Sequence, residues 1–210
     1  MKSFLKRLRI FNISKKIYSF CISFLGYYKF KKLSKSNNIS LELGSGSKRG
    51  EGEWTTVDIF GADINYDLSY GIPLKNGTVD KIYSSHFLEH LTFKEIVTFL
   101  EECKRLLKPN GIFSVCVPDA SLYIKAYIEK KNFRTDENFF IEGKIFTNSY
   151  IDQINYIAYM GGEHKHMWDA ESLVNILGIL GFKDAKLRDF DDSIDRVERN
   201  YESIYAVATK

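Results

Sequence analysis

The feature that most constrains this chain is the run Leu41-Glu42-Leu43-Gly44-Ser45-Gly46. It reads as a short strand that passes directly into a glycine turn. Such turns sit at the carboxyl ends of strands in open parallel sheets, which is where ligands bind in those folds. Gly44 and Gly46 permit backbone angles that other residues avoid, and they let the backbone approach a ligand closely. The dinucleotide fingerprint fails on spacing, because its third glycine position is Arg49. Glu42 also argues against an anionic pyrophosphate in this turn and suits a ligand that carries a positively charged amino group. A plain strand–turn corner explains the same six residues, so the motif does not decide the matter alone.

From Ile39 onward, short apolar strands alternate with helical stretches, the pattern of a parallel α/β sheet. Strands are expected at 39–43, 54–58, 63–66, 81–84, 112–117, 185–189 and 204–208. A helix is predicted over 93–107. Phe93, Ile96, Val97, Leu100, Cys103, Leu106 and Leu107 give it one apolar face, Thr92 and Glu95 make a capping box, and Pro109-Asn110-Gly111 stops it. A second helix is predicted over 170–180, capped by Asp169 and closed by Gly181. Only Ser45 to Glu53 separates the first two strands, and only Ile59 to Ala62 the next two. A crossover helix needs a dozen or more residues, so this edge of the sheet must be trimmed. Between Pro118 and Trp168 lies an aromatic-rich insert, unusually long for a connection.

With 210 residues, 44% of them hydrophobic, the chain can bury one core and is short for two. Its net charge of +3 conceals an asymmetry: residues 1–36 hold ten Lys or Arg and no Asp or Glu, which leaves the rest net acidic. The body therefore shows no nucleic-acid footprint, and none is expected as a partner. The run Ile17–Phe30 is apolar and aromatic, with basic residues on both sides, but too short to span a bilayer alone. No small-residue cleavage site follows it, so a signal peptide is not indicated. Two readings stay open for residues 1–35: an amphipathic helix lying on anionic lipid, or a helix docked on the domain. Three unpatterned cysteines point to a reducing cytosol, at the inner face of the membrane if the arm binds lipid.

Acids recur at successive strand ends. Asp58 closes the second predicted strand, where a carboxylate can accept two ribose hydroxyls. Asp67 follows the third, placed to accept from an adenine amino group. Either acid could equally serve as a turn residue or a helix cap. Next comes Ser84-Ser85-His86-Phe87-Leu88-Glu89-His90-Leu91. His86 to His90 match the inverted zinc-protease spacing H-x-x-E-H. His86 falls at a strand end, however, so the two histidines are not expected on one helix face, and no metal is expected. His90 reads as a capping or structural residue.

The run from Leu41 to Asp119 closely resembles a family of small predicted class I methyltransferases, type 11-like, often associated with cell-surface polysaccharide genes. The resemblance rests on Leu43-Gly44-Ser45-Gly46, Gly52-Glu53-Trp54, Val57-Asp58, Asp67-Leu68, Ile72-Pro73-Leu74 and Val79-Asp80-Lys81-Ile82-Tyr83. It continues through Ser84-Ser85-His86, Leu88-Glu89-His90-Leu91, Arg105 to Gly111 and Val117-Pro118-Asp119, with similar pieces downstream at His164-Lys165, Trp168-Asp169 and Gly181 to Asp184. It implies a Rossmann-like α/β sheet, mostly parallel with the last strand antiparallel, over residues 38–210. Residues 1–37 would form a basic arm and 119–168 a helical substrate or lid insert. It implies S-adenosylmethionine as cofactor, held by Glu42, Gly44, Ser45, Gly46, Asp58, Asp67, Ser85 and His86. Asn110 departs from the usual glycine after the proline, a change that a turn tolerates.

The expected reaction is O-methylation of a small or glycan-like acceptor. Candidates for the proton-transfer and pocket roles are His86, Asp119, His164 and His166, none singled out as the base. Asp119 could instead cap the next helix, and His164-Lys165-His166 could be a solvated loop. The insert's aromatics, among them Tyr123, Phe139, Phe140 and Phe146, suit a substrate platform but more often form core. A catalytically inactive cofactor-binding or scaffold protein of the same fold is the alternative. Oligomeric state is not readable.

Overall fold

The computed structural model describes residues 2–131, 133 and 147–210, and gives side-chain surroundings for Ser14 and from Ile17 onward. Phe139, Phe140 and Phe146 of the insert lie outside the described residues.

Helix α1 (Lys2–Leu33) is followed by strands β1 (Ser40–Leu43), β2 (Trp54–Asp58), β3 (Ile64–Asn65) and β4 (Val79–Ser85). Then come α2 (Phe93–Leu106), β5 (Leu107–Pro118), α3 (Ala120–Ile128), α4 (Ile151–Tyr159), α5 (Ala170–Ile179), β6 (Lys183–Leu187) and β7 (Ser203–Thr209). The seven strands form one sheet in the order β3-β2-β1-β4-β5-β7-β6. All pairings from β3 to β5 are parallel, and β7 runs antiparallel to both its neighbours. The order reverses direction beside β1, between β1 and β4, and ligands of such sheets bind outside the carboxyl ends of the strands there.

The side-chain period of two separates the faces of the sheet. Ile82, Val115 and Ala206 enter the main core, together with Ile96, Leu100 and Cys103 of α2 and Leu173, Ile176 and Leu177 of α5. Their neighbours Tyr83, Cys116 and Tyr205 point the other way and form a smaller cluster with Trp54, Phe190 and Ile194. Neither short link between β1, β2 and β3 contains a helix, as their lengths require. The face that such helices would cover instead carries a groove of about 510 Å³, lined by Trp54, Lys81, Ser114, Arg188 and Ile194 among others. None of the expected site residues lines it.

Two of the sequence pieces that carry the resemblance act as fasteners. Arg105 donates to the carbonyls of Ile72 (2.9 Å) and Leu74 (2.8 Å) and pairs with Glu102 at 2.6 Å, so it pins the Ile72-Pro73-Leu74 loop to α2. Asp80 joins Lys108 (2.7 Å) to the Ile39 N–H (2.8 Å), which clasps β4, β5 and the start of β1.

The N-terminal helix is not separate from the body. Phe30 is fully buried in the main core, and its ring meets Tyr66 edge-on at 5.2 Å. Gly26 lets the helix approach the sheet edge: a Cβ there would lie 2.6 Å from the Asn65 carbonyl oxygen. Ile17, Phe20, Phe24, Leu25 and Tyr28 remain exposed on the outer side. Among the described residues no helix is long and apolar enough to cross a membrane.

Candidate active site

The glycine turn follows directly from β1. The Gly44 N–H donates to the Val57 carbonyl at 2.9 Å and the Ser45 N–H to the same oxygen at 3.4 Å, which extends the β1–β2 pairing. Both glycines have positive φ, +72° and +65°. Their surroundings differ. A Cβ on Gly44 would lie 2.3 Å from the Phe87 ring, whereas one on Gly46 would meet nothing within 4 Å. The Cβ position of Gly44 is taken by Phe87, and that of Gly46 borders open space.

Glu42 is buried on β1, and its Oε2 accepts from Lys48 Nζ at 2.9 Å. Asp58 ends β2; its Oδ2 accepts from the Gly46 N–H at 2.9 Å and its Oδ1 from the Ile59 N–H at 2.6 Å. Each Asp58 oxygen keeps a further lone pair, since a carboxylate has about four acceptor sites. These two acids flank the turn on neighbouring strands.

Asp67 is more occupied than its spacing suggests. Its backbone N–H donates to Ser23 Oγ at 3.0 Å, and its carboxylate accepts from the Ser69 N–H at 3.0 Å and from Ser19 Oγ. It caps a single 3₁₀ turn at Leu68–Tyr70. Burial opposes its ionisation, but the bonds from Ser19 and Ser69 win and hold its carboxyl below the usual range. The helix-cap reading holds, with α1 as a partner.

Ser85 closes β4 opposite Cys116, and His86 follows at φ +50°. The His86 N–H donates to the Cys116 carbonyl at 2.9 Å, while Nε2 lies 2.8 Å from Ser203 Oγ. Burial, with help from the Arg199 charge, depresses the His86 pKa to about 3. A neutral imidazole of such low basicity is a poor general base at neutral pH. Asp119 is the cap of α3, accepting from the Ser121 N–H at 2.9 Å, and its own N–H donates to the Glu202 carbonyl at 2.7 Å. His164 is buried, with Nδ1 2.8 Å from the Ile157 carbonyl oxygen. His166 is half-buried between Trp168 (4.5 Å between centroids) and Phe93 (6.1 Å). Burial lowers the pKa of both His164 and His166.

The structure draws His86, His164 and His166 towards one residue that the sequence reading passed over. Glu89 is 2% exposed, and burial pushes its pKa up to about 8. Its carbonyl accepts from the N–H groups of Lys165 (2.8 Å) and His166 (3.2 Å), which fixes the Gly162–Trp168 segment against the end of β4. The H-x-x-E-H spacing was the available signal for Glu89. Also unforeseen are Glu202, which is buried and accepts from Tyr123 and Tyr201, and Asp195, which Arg188 grips with two nitrogens (2.5 and 2.7 Å) beneath Tyr83.

Residues 40–115 match a family model described as a methyltransferase domain. That stretch spans β1 through most of β5 and contains the turn, Glu42, Asp58, Asp67, Ser85 and His86. Over that stretch the chain is similar to a methyltransferase domain. Solved structures carry the likeness across the rest of the chain. An S-adenosylmethionine-dependent methyltransferase from Archaeoglobus fulgidus is 18% identical, with 89% of this chain and 93% of that one covered at TM-score 0.52. A Thermotoga maritima protein described as a possible histamine N-methyltransferase is 15% identical, covering 96% and 97% at 0.52. A methyltransferase from Mesorhizobium loti is 17% identical, covering 82% and 90% at 0.50. At these identities the likeness is one of fold: the Rossmann-like class I methyltransferase sheet, with β7 as its antiparallel strand. No curated protein is matched by the sequence. All three structures are described as S-adenosylmethionine-dependent methyltransferases.

The residues present fit that cofactor. Lys48 already places a primary ammonium on the buried Glu42 carboxylate, the same chemical group that a methionine moiety would offer. Asp58 has acceptor capacity for hydroxyls, and the turn is open above Gly46.

Proposed function

We propose that the chain methylates a hydroxyl oxygen on a small, polar, glycan-like acceptor of the kind used in surface polysaccharide metabolism. The observation that carries the methyl-transfer part of this reading is the pairing of two acids, Glu42 and Asp58, around the open Gly46 turn, next to a histidine-lined strand end; the hydroxyl, glycan-like acceptor follows the sequence resemblance. S-adenosylmethionine supplies a methyl group on a cationic sulfur. Glu42 would hold the amino group of the methionine moiety, with Lys48 moving aside, and Asp58 the ribose hydroxyls. Ser45 and Ser85 would line the same pocket. Much of the rate of such a displacement comes from alignment and exclusion of water.

A hydroxyl acceptor must also lose its proton. His86 is too weakly basic, Asp119 caps α3 and the His164 ring is buried. His166 is the candidate whose ring makes only aromatic contacts among the described residues. We therefore assign it the role of proton acceptor. The test is calorimetry with S-adenosylhomocysteine, followed by a screen of nucleotide sugars and glycan intermediates with labelled cofactor. Binding should be measurable and at least tenfold weaker in Asp58→Ala; undetectable binding by the wild type sinks the reading. Once an acceptor is found, His166→Asn should lower turnover and leave S-adenosylhomocysteine affinity unchanged.

The exposed side of α1 supports a second element of the proposal, contact with an anionic membrane surface. Phe20 and Leu25 are each 65% exposed, and Lys31 and Lys32 lie in the last turn. Aromatic and aliphatic groups beside lysines suit the headgroup boundary. Because Ile22 and Phe30 are buried, removing the helix would damage the fold, so substitutions are the cleaner probe. Phe20→Glu combined with Leu25→Glu should abolish sedimentation with anionic vesicles; unchanged sedimentation rules the contact out.

A further inference from the structure

Glu89, His90 and His164 each offer a ligand atom, and those atoms all lie within 4.8 Å of one another. The hydrogen bonds around them decide which nitrogens face inward. His90 Nδ1 lies 3.2 Å from the Glu163 carbonyl oxygen, and His164 Nδ1 lies 2.8 Å from that of Ile157. A carbonyl only accepts, so each Nδ1 carries the proton and each Nε2 keeps its lone pair. His86 obeys the same logic in mirror image. The Ser203 hydroxyl gives its one proton to the Arg199 carbonyl at 2.7 Å, so it must accept from His86 Nε2–H. The bare Nδ1 of His86 then lies 3.6 Å from Glu89 Oε1, and the bare Nε2 of His90 lies 3.9 Å from the same oxygen.

Imidazole lone pairs thus converge on a carboxylate that is itself an acceptor. Among the described residues, Glu89 Oε2 is buried with no hydrogen-bond partner. A buried acceptor without a donor costs on the order of 1–3 kcal/mol, more if charged, and a ring of acceptors turned on one another is stable only with something positive between them. A backbone carbonyl on the far nitrogen of a histidine is also how metal-ligating histidines are commonly oriented.

We propose that Glu89, His90 and His164 hold a divalent transition-metal ion of the zinc class, with His86 Nδ1 at its margin. Two imidazoles and one carboxylate suit zinc, cobalt, manganese or ferrous iron, whereas magnesium and calcium prefer all-oxygen sets. Around a tetrahedral zinc the donors stand about 3.3 Å apart, given bonds of about 2.0–2.1 Å. Three protein ligands leave an open position, as in catalytic zinc sites. The His90 side chain is 34% exposed, so the site is reachable from solvent. The open position would take an oxygen of the acceptor; only that role rests on the methyl-transfer reading.

The test uses the full chain with any affinity tag removed, stripped with chelator and titrated with Zn²⁺ in competition and with Co²⁺ by absorption. One ion per chain is expected, with cobalt bands of a four- or five-coordinate site. Glu89→Gln and His164→Ala should each weaken binding at least tenfold, the scale on which ligand loss acts. His90→Asn should do the same, and it changes the most exposed of the three ligands, so it is the least liable to misfold. S-adenosylhomocysteine affinity, measured on the same samples, should stay within twofold. Absence of stoichiometric metal uptake by the wild type, or uptake unchanged in His90→Asn and Glu89→Gln, overturns the site and leaves a proton as the only occupant. Failure of S-adenosylhomocysteine binding would instead count against the methyl-transfer reading and not against the metal.

Discussion

At the scale of single residues, two glycines with the same backbone sign do different work. Gly44 combines positive φ with a Phe87 ring where a Cβ would go, while Gly46 has the φ but open space. Gly44→Ala should therefore cost about 3 kcal/mol or more, because strain and overpacking add. Gly46→Ala should cost only about 1 kcal/mol, the left-handed backbone penalty. Denaturant melts of the two variants measure the difference, and equal costs would refute the Phe87 account. Spacing showed that glycines belong at both positions. It could not show Phe87, which reaches Gly44 from across β4. Asp67 is the same case: a carboxylate at a strand end is legible, but its capture by Ser19 of α1 depends on a helix that docks from 48 residues away.

Among the elements, local chemistry was readable where it acts within one turn. The Thr92–Glu95 capping box forms as expected, with the Thr92 N–H donating to Glu95 Oε2 at 2.7 Å and the Glu95 N–H to Thr92 Oγ1 at 3.4 Å. Asn110 does take the left-handed turn, at φ +61°. Less visible was the role of Arg105 and Glu102, whose partners lie in the Ile72–Asn76 loop. Burial works against the Glu102 charge, but hydrogen bonds from Arg105 and the Ile72 N–H hold its pKa below the usual 4.5. A depressed carboxylate contributes stability that is present above the unfolded pKa and lost as pH falls through the folded value. Wild type should therefore lose more stability than Glu102→Gln as the pH falls below the usual carboxylate range. Chemical denaturation at several pH values checks this, and parallel pH profiles would refute it.

For the whole molecule, the decisive arrangement is that α1, the insert and the sheet meet around the carboxyl ends of the strands. The N-terminal helix is tied to the β3 edge by Lys29, whose Nζ donates to the Asp63 carbonyl at 2.5 Å, and by the burial of Phe30. Phe30→Ala should cost about 3–5 kcal/mol as a core truncation. Phe24→Ala, at a position 56% exposed, should stay within about 0.5 kcal/mol in stability. Comparison of the two by thermal melts tests whether the helix belongs to the cooperative unit; equal effects would mean that it does not. On the other side of the site, the insert returns through His164 and His166 and hangs on the Glu89 carbonyl. Its docking brings His164 against His90 at 5.0 Å between ring centroids.

What the sequence determined by itself is whatever acts over a few residues or follows from length: strand period, helix caps, left-handed turns, and links too short to hold crossover helices. These suffice for a trimmed, mostly parallel sheet with a glycine turn after β1. Only the tertiary structure decided what each strand-end group is bonded to. Asp67 binds α1 and caps a 3₁₀ turn, Asp119 caps α3, Glu42 and Asp58 flank the turn, and Glu89 is buried among histidines drawn from two distant segments. The reason is physical: a side chain's charge state and partners are set by what packs around it, and that packing joins residues that no short window of sequence contains.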